Sequence, residues 1–472
     1  MRKRLLSIIS TIAVSSVMIF TSGAVKAATL QDRLWGNDRY QTNSKIVDSG
    51  WTTSEYAVIA SGDGFADALC AAPLAQQYKA PILLTSKNTL STESKNQLSR
   101  LNVKNVFIIG GTGVISDSVK SEIESMGIKT NRIYGQDRFG TSIEVAKNLQ
   151  NVSAVVVSNG YGFADALSIA PIAAQKSMPI LLTDKADLAT ATKDFLANKT
   201  PTESYIVGGT GVVSDKIASQ LKNNIRLGGN SRYETNASVL NHFADKFNYD
   251  KVYVASGENY PDALSGSVLA SSSNSPLVLV GNLVDSSVMS SVKSQHDKYN
   301  NIIVLGGTGV VSNTSANSIV TGVIQAPSYD KAYASKSLDV KSLPGEPYKT
   351  LGTIKTGTTV EVYGGVPIGQ DQGDWFSYQQ YGWSKIKYKD EYGWVKTHDL
   401  SFADPYAWAP GIKENFENDI IKQGYARKKE SIRYVRTDVG TTTQGFYSVY
   451  TDVSGPDCYV VIVNAKTGWY HG

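Results

Sequence analysis

One phrase occurs three times in this chain at a fixed interval. Gly110-Gly111-Thr112-Gly113 returns as Gly208-Gly209-Thr210-Gly211 and as Gly306-Gly307-Thr308-Gly309, each copy 98 residues after the last. Other phrases keep the same beat. Phe65-Ala66-Asp67-Ala68-Leu69 returns as Phe163 to Leu167 and, altered at its start, as Pro261-Asp262-Ala263-Leu264. Pro81-Ile82-Leu83-Leu84-Thr85 returns as Pro179 to Thr183 and more loosely as Pro276 to Val280, and Asp38-Arg39-Tyr40 returns as Asp137-Arg138-Phe139 and Ser231-Arg232-Tyr233. A period this long exceeds a solenoid unit and matches a small domain with its own core. A binding module in triplicate fits this pattern better than a single reaction centre.

Within one repeat, strand and helix alternate. Tyr56–Ser61, Pro81–Thr85 and Val106–Ile109 are short, continuously apolar runs, and a fourth run follows at Arg132–Gly135. Between them lie helix patterns at Ala66–Lys79, Ser91–Leu101 and Ser116–Met126, with another at Thr141–Leu149. Apolar strands separated by helices predict parallel sheets covered on both faces. The glycine turns at Gly62, Gly110 and Gly135 are then expected to converge at the carboxyl edge of the sheet.

The first 27 residues read as an export leader, with Arg2-Lys3-Arg4, an apolar stretch to Phe20 and small residues around Lys26. No later stretch is long and apolar enough to span a bilayer. The formal charge of +4 comes from that leader: four of the 46 basic residues lie in it, leaving 42 against 42 acidic ones. Without a net field, anion binding must come from local groups, and nucleic acid is not an expected partner. Two cysteines make no disulfide framework, and Cys70, matched by Ser168 and Ser265, reads as a small packing position.

The chemistry legible in the repeats favours binding. Gly111-x-Gly113-x-x-Ser116 approaches a dinucleotide fingerprint but lacks its last glycine and a clear acidic ribose partner. The glycines either let the chain turn sharply or present backbone N–H groups to an anion. Arg39, Arg138 and Arg232 sit in turns between strand and helix, where a guanidinium either pairs with Asp67, Asp165 or Asp262 or forks onto a phosphate or carboxylate. Those aspartates equally suit the first turn of a helix. The histidines at 242, 296, 398 and 471 have no metal-ligand spacing and no nucleophile elbow is present, so no metal and no cofactor are expected.

The vocabulary Arg-x-x-Gly-x-x-Arg-Tyr/Phe, Asp-Ala-Leu, Pro-Ile-Leu-Leu-Thr and Gly-Gly-Thr-Gly-Val-Val/Ile-Ser resembles the clostridial and bacillar cell wall binding repeat 2, over all three repeats. The resemblance implies three Rossmann-like modules in a pseudo-threefold arrangement within one chain, with the Pro-Ile-Leu-Leu segments toward the central contacts. It also implies a secreted, wall-associated protein held non-covalently by an anionic secondary wall polymer. On that footing the polymer-site candidates are Arg39, Asp67, Gly110, Gly111 and Thr112; Arg138, Asp165, Gly208, Gly209 and Thr210; and Arg232, Asp262, Gly306, Gly307 and Thr308. The third repeat departs from the pattern with Ser231, Leu277-Val278-Leu279-Val280 and Glu258-Asn259-Tyr260-Pro261.

The spans read from this are a leader at 1–27, modules at 28–131, 132–224 and 225–326, a β-unit at 330–402 and a small α+β unit at 403–472. Short alternating strands around Leu338, Val360, Trp383 and Trp394 make 330–402 resemble a bacterial SH3 domain. Trp375, Tyr378, Tyr381 and Trp383 are its groove candidates for wall peptide or glycan, against the plainer role of filling its core. The last unit reads as a helix at Ile412–Gln423 and three strands. Related autolysins join such a trimer to a zinc amidase, which a tail holding only His398 and His471 does not suit. The rival reading is a wall hydrolase in the C-terminal half, with Glu414, Glu417 and Asp419 on one helix as its acids.

Overall fold

The computed structural model describes residues 28–325, 329–345, 349–367, 382–389, 391–437, 445–455 and 457–471. Its first element is a strand, β1 (Thr29–Leu34). The first module runs through α1 (Arg39–Gly50), β2 (Tyr56–Ser61), α2 (Ala71–Gln77), β3 (Ile82–Thr85), α3 (Thr92–Arg100), β4 (Asn105–Ile109), α4 (Asp117–Ser125) and β5 (Lys129–Ile133). The second repeats it as α5 (Arg138–Lys147), β6 (Ala154–Asn159), α6 (Ala164–Gln175), β7 (Ile180–Thr183), α7 (Thr190–Lys199), β8 (Glu203–Val207), α8 (Asp215–Ala218) and β9 (Asn224–Leu227). The third comprises α9 (Arg232–His242), β10 (Lys251–Ser256), α10 (Pro261–Ser272), β11 (Leu277–Val280), α11 (Ser286–Gln295), β12 (Asn301–Leu305) and α12 (Asn313–Thr321). The helix expected from Ala66 opens instead as a 3₁₀ turn, Ala68–Cys70, before α2 begins.

Every pairing in these three sheets is parallel. The strand orders are β3-β2-β4-β5, β7-β6-β8-β9 and β11-β10-β12-β1. The fourth strand of each sheet therefore lies just before the Arg-Tyr/Phe helix of the next module. The third module has no following repeat, and its fourth strand is β1, whose Thr29 to Leu34 align with Asn301 to Leu305. The frame of the sheets thus differs from the spans drawn from the repeat: β5 and β9 straddle the divisions at 131/132 and 224/225, and the strand at the start of the chain serves the third module. An apolar strand carries no mark of which sheet it joins, so the repeat alone left this open.

The modules meet through their most apolar helices. α6 and α10 are buried almost all round, with alanines and serines on their faces, as befits helices without a solvent side. α2, α6 and α10 pack against one another. Each also covers an exposed sheet edge in cyclic order: α10 lies on β3, the Ala68–Cys70 turn on β7 and α6 on β11. This seals the unpaired edges of the buried strands. At the centre, Phe65, Phe163 and Tyr260 form a triangle with ring centroids 5.5, 5.7 and 6.0 Å apart. Asn43 caps the same β3 edge from within its module, donating from Nδ2 to Ile82 O and accepting from Leu84 N; Asn236 does the same for β11. Cys70 is buried and unpaired, and Cys458 is exposed and free.

After the third module come β13 (Asp330–Ala334), β14 (Leu338–Lys341), β15 (Thr350–Ile354), β16 (Thr359–Val366), β17 (Trp383–Tyr388), β18 (Glu391–Lys396) and β19 (Leu400–Phe402). They form one antiparallel sheet around Val340, Val362, Ile386 and Val395. The last unit packs α13 (Ile412–Lys422) on the antiparallel strands β20 (Arg433–Thr437), β21 (Phe446–Tyr450), β22 (Val461–Asn464) and β23 (Tyr470–His471). Lys466, in the turn after β22, is fully buried. Its Nζ donates to Asp330 Oδ2 at 2.5 Å and to the carbonyls of Asp404 and Ala407, tying this unit to the seven-stranded sheet. Among the described residues, no helix is long and apolar enough to cross a membrane.

If β1 closes the third sheet, deleting residues 28–35 should cost about 3 kcal/mol or more, the scale of one buried leucine lost from a core. Hydrogen exchange should quicken first in Asn301–Leu305 and leave Asn105–Ile109 protected.

Candidate functional site

The strand order places a topological switch between β2 and β4, where the loops leaving the two strands part company and open a crevice. Both signature loops lie there. The loop after β2 carries Asp67 and the loop after β4 is Gly110-Gly111-Thr112-Gly113. Gly110, Gly208 and Gly306 have φ of 111°, 121° and 100°, a region that glycine alone enters readily. A side chain there is also excluded by space: a Cβ on Gly110 would lie 2.9 Å from Asp67 Oδ2, and one on Gly208 would lie 2.8 Å from Asp165 Oδ2. The expected convergence is thus a contact between carboxylate and glycine. Asp262 makes the same approach to Gly306.

A second arginine set shapes these loops. Arg132 Nη1 donates to Gly110 O and Ile115 O, both at 2.8 Å, and Nη2 reaches Asp117. Arg226 holds Gly208 O, Val213 O and Asp215, and Arg33 holds Gly306 O, Val311 O and Asn313 in the same way. These arginines open the motif Arg-x-x-Gly-x-x-Arg, so the signal was in the sequence; their task shows only in three dimensions. With the loops so held, the N–H groups of Gly111, Thr112 and Gly113, and their counterparts in the other modules, donate to no acceptor among the described residues.

The second arginine of the motif comes from the neighbouring module. Arg39, Arg138 and Arg232 each donate through Nη1 to the carbonyl that ends a central strand: Gly62, Gly160 (2.8 Å) and Gly257 (2.5 Å). None forms an ion pair with a described residue. Each instead acts at longer range on an aspartate across the module boundary: Arg138 on Asp67, Arg232 on Asp165 and Arg39 on Asp262. Arg39 and Arg232 are exposed and Arg138 is half-buried, with Arg138 over Tyr161 and Arg232 over Phe163. Each site is therefore built from two modules, and closing the ring through β1 brings Arg39 to Asp262.

Burial raises the pKa of all three aspartates. Thr141 and Arg138 oppose this at Asp67, and Thr235 and Arg232 oppose it at Asp165. At Asp262 only Arg39 does, and its carboxyl rises to about 6. Thr112 and Thr210 are exposed, whereas Thr308 Oγ1 donates to Asn415 Oδ1 of α13 at 3.0 Å. Clefts of about 470 and 560 Å³ open beside Arg39 with Asp262 and beside Arg232 with Asp165.

The other candidates fall elsewhere. Trp375, Tyr378 and Tyr381 lie outside the described residues. Trp383 is 3 % exposed, with Lys396 Nζ 5.9 Å over its ring. The acids of α13 diverge: Glu414 accepts from Asn313, Glu417 from Tyr434 and Asp419 from Tyr470. No group of three or more potential metal ligands occurs among the described residues.

Three parallel α/β modules joined in a ring, with paired loops and a neighbour's arginine at each junction, define a repeat-built binding protein. The model of cell wall binding domain 2 (CWB2) matches residues 33–120, 132–218 and 226–316, and the chain belongs to that family. It is 35% identical over 293 residues to N-acetylmuramoyl-L-alanine amidase LytC of Bacillus subtilis (strain 168), covering 62% of this chain and 58% of that protein. It is 34% identical over 273 residues to the amidase enhancer of the same organism, covering 56% of this chain and 37% of that protein. Among solved structures, Cwp6 from Clostridium difficile superposes with a TM-score of 0.59 at 30% identity over 63% of this chain and 48% of that one. Cwp8 gives 0.58 at 29% identity over 62% and 52%. The chain therefore spans between about a third and three-fifths of the length of these curated relatives.

Two predictions follow from the geometry. A carboxyl whose pKa is raised by folding contributes stability below its unfolded value near 3.8 and loses it as pH rises through about 6. Asp262→Asn should therefore stabilise the protein by about 1–3 kcal/mol at pH 7.5, and thermal melts at pH 3.5 should show no gain. Arg132→Ala should cost about 2 kcal/mol, because it frees two buried carbonyls, and Arg138→Ala, which frees the single carbonyl of Gly160, should lower the melting temperature less.

Proposed function

We propose that this protein attaches non-covalently to the Gram-positive cell wall, its three inter-module clefts gripping successive units of an anionic secondary wall polymer. The observation that carries the reading is the threefold recurrence of unspent backbone N–H groups beside a guanidinium with free donors. Such a cleft suits a phosphate or carboxylate. The flanking aspartate is suited to accept from a sugar hydroxyl, which favours an anionic glycan over a simple anion. Family membership and the wall amidase among the relatives support the same reading. In it, residues 1–27 direct export, and 330–402 serve as an SH3-like unit contacting peptidoglycan.

One cleft of this kind is weak. An exposed anion at a helix or loop N-terminus gains about 0.3–1 kcal/mol, and an arginine contact about 1.5–3 kcal/mol. Three clefts on one polymer raise avidity by about 10²–10⁴ over a single one. The Arg39→Ala, Arg138→Ala, Arg232→Ala triple variant should therefore leave purified walls at far lower salt than the parent, with each single variant in between. Sedimentation with walls across a sodium chloride series is the measurement; a triple variant retained as firmly as the parent overturns the reading.

A further inference from the structure

The three clefts are not equivalent. At the position after the strand that completes each sheet stand Trp35, Tyr134 and Gly228. Trp35 lies against Gly307 and Tyr134 against Gly111, each about van der Waals distance from where a Cβ would sit. At the remaining cleft the backbone of Gly229 takes that place beside Gly209. Trp35 thus adds an aromatic face to the cleft beside Arg39, as Phe65, Tyr161 and Phe163 do to the cleft beside Arg232, the kind of surface on which the apolar face of a sugar ring packs.

Of the clefts beside Arg39 and Arg232, the one beside Arg39, between the third and first modules, has a further wall from outside the ring. Asn415, Asn418, Asp419 and Lys422 of α13 all line it. Their spacing of i, i+3, i+4 and i+7 puts them on one stripe of the helix, while Phe416 and Ile420 bury into the helix's own sheet. The helix is pinned there by Thr308 to Asn415 and by Asn313 Nδ2 to Glu414 Oε2 at 2.9 Å. It walls the cleft without filling it, since about 470 Å³ remains against about 560 Å³ at the cleft beside Arg232. Asp419 is occupied by the Tyr470 hydroxyl at 2.6 Å, whereas the Lys422 ammonium is exposed and forms no ion pair with a described residue.

We propose that this cleft is a composite site, completed by α13, that selects one anionic sugar unit of the polymer. The sugar ring lies on Trp35, Arg39 and Lys422 flank its charge, and the Asn418 amide reads a hydroxyl. The proposal rests on the wall-polymer reading and adds that the C-terminal unit takes part in recognition.

The test is calorimetric titration of the full chain with polymer released from purified walls. The probe variant is Asn418→Ala/Lys422→Ala, which leaves the pinning residues Asn415 and Glu414 in place. Its expected effect is an affinity loss of about tenfold at one site per chain, the scale of one charge-assisted contact, with the melting temperature held. Trp35→Phe, which keeps an aromatic floor, should bind better than Trp35→Ala. An isotherm for Asn418→Ala/Lys422→Ala that superimposes on the parent's overturns the composite site while wall binding stands. A parent chain that takes up none of the polymer overturns the wall-polymer reading, and the composite site with it.

Discussion

Three helices with nowhere else to go organise this molecule. α6 and α10 offer almost no polar face to water, and small side chains allow them and α2 to approach one another closely. A module standing alone would expose that helix together with the bare edge of its sheet. Cyclic packing removes both exposures at once, because the helix that reaches the centre also covers the neighbour's edge strand. The aromatic triangle of Phe65, Phe163 and Tyr260 marks the axis of this arrangement. The clefts are by-products of the same packing, since each forms where one module's strand tips meet the next module's first helix.

Within a cleft, constraints interlock. The glycine after the third strand of each module has a positive φ and no room for a side chain, because the aspartate of the preceding loop occupies that space. The loop's carbonyls are held by one arginine, and the amides of Gly111, Thr112 and Gly113 donate to no acceptor among the described residues. The second arginine is tethered by one carbonyl bond to the tip of its own module's central strand, Arg39 donating also to Tyr260 Oη at 3.3 Å, so most of its donors stay available. Rigid loop and adjustable guanidinium suit a polymer whose charges need not be evenly spaced.

Much of this was legible beforehand. The repeat, the alternation of apolar strands with helices, and the convergence of the glycine turns all appear in the coordinates. So does the final helix, read as Ile412–Gln423 and found as Ile412–Lys422. What was hidden depends on contacts distant in the chain. Nothing in Thr29–Leu34 says that it belongs beside Asn301–Leu305. Asp262 answers to Arg39, more than two hundred residues away, a partnership that the motif spacing does not specify. Nor does anything in the turn after Asn464 say that three oxygens and the Phe402 ring enclose Lys466. The polar stripe of α13 looks like an ordinary exposed helix face until the third module is placed against it.

The strand that closes the ring has a consequence in time. Thr29 bonds to the carbonyl of Asn300, 271 positions away, so this early segment must wait for nearly the whole trimer before it finds its partner. Pairing across so long a loop is intrinsically slow. Until Asn301–Leu305 arrives, the nascent molecule has two finished bodies and an orphan ribbon, and Arg39 has no Asp262 to face. The cleft walled by α13 is therefore also the last of the three to form, because it needs both Asn301–Leu305 and α13 in place.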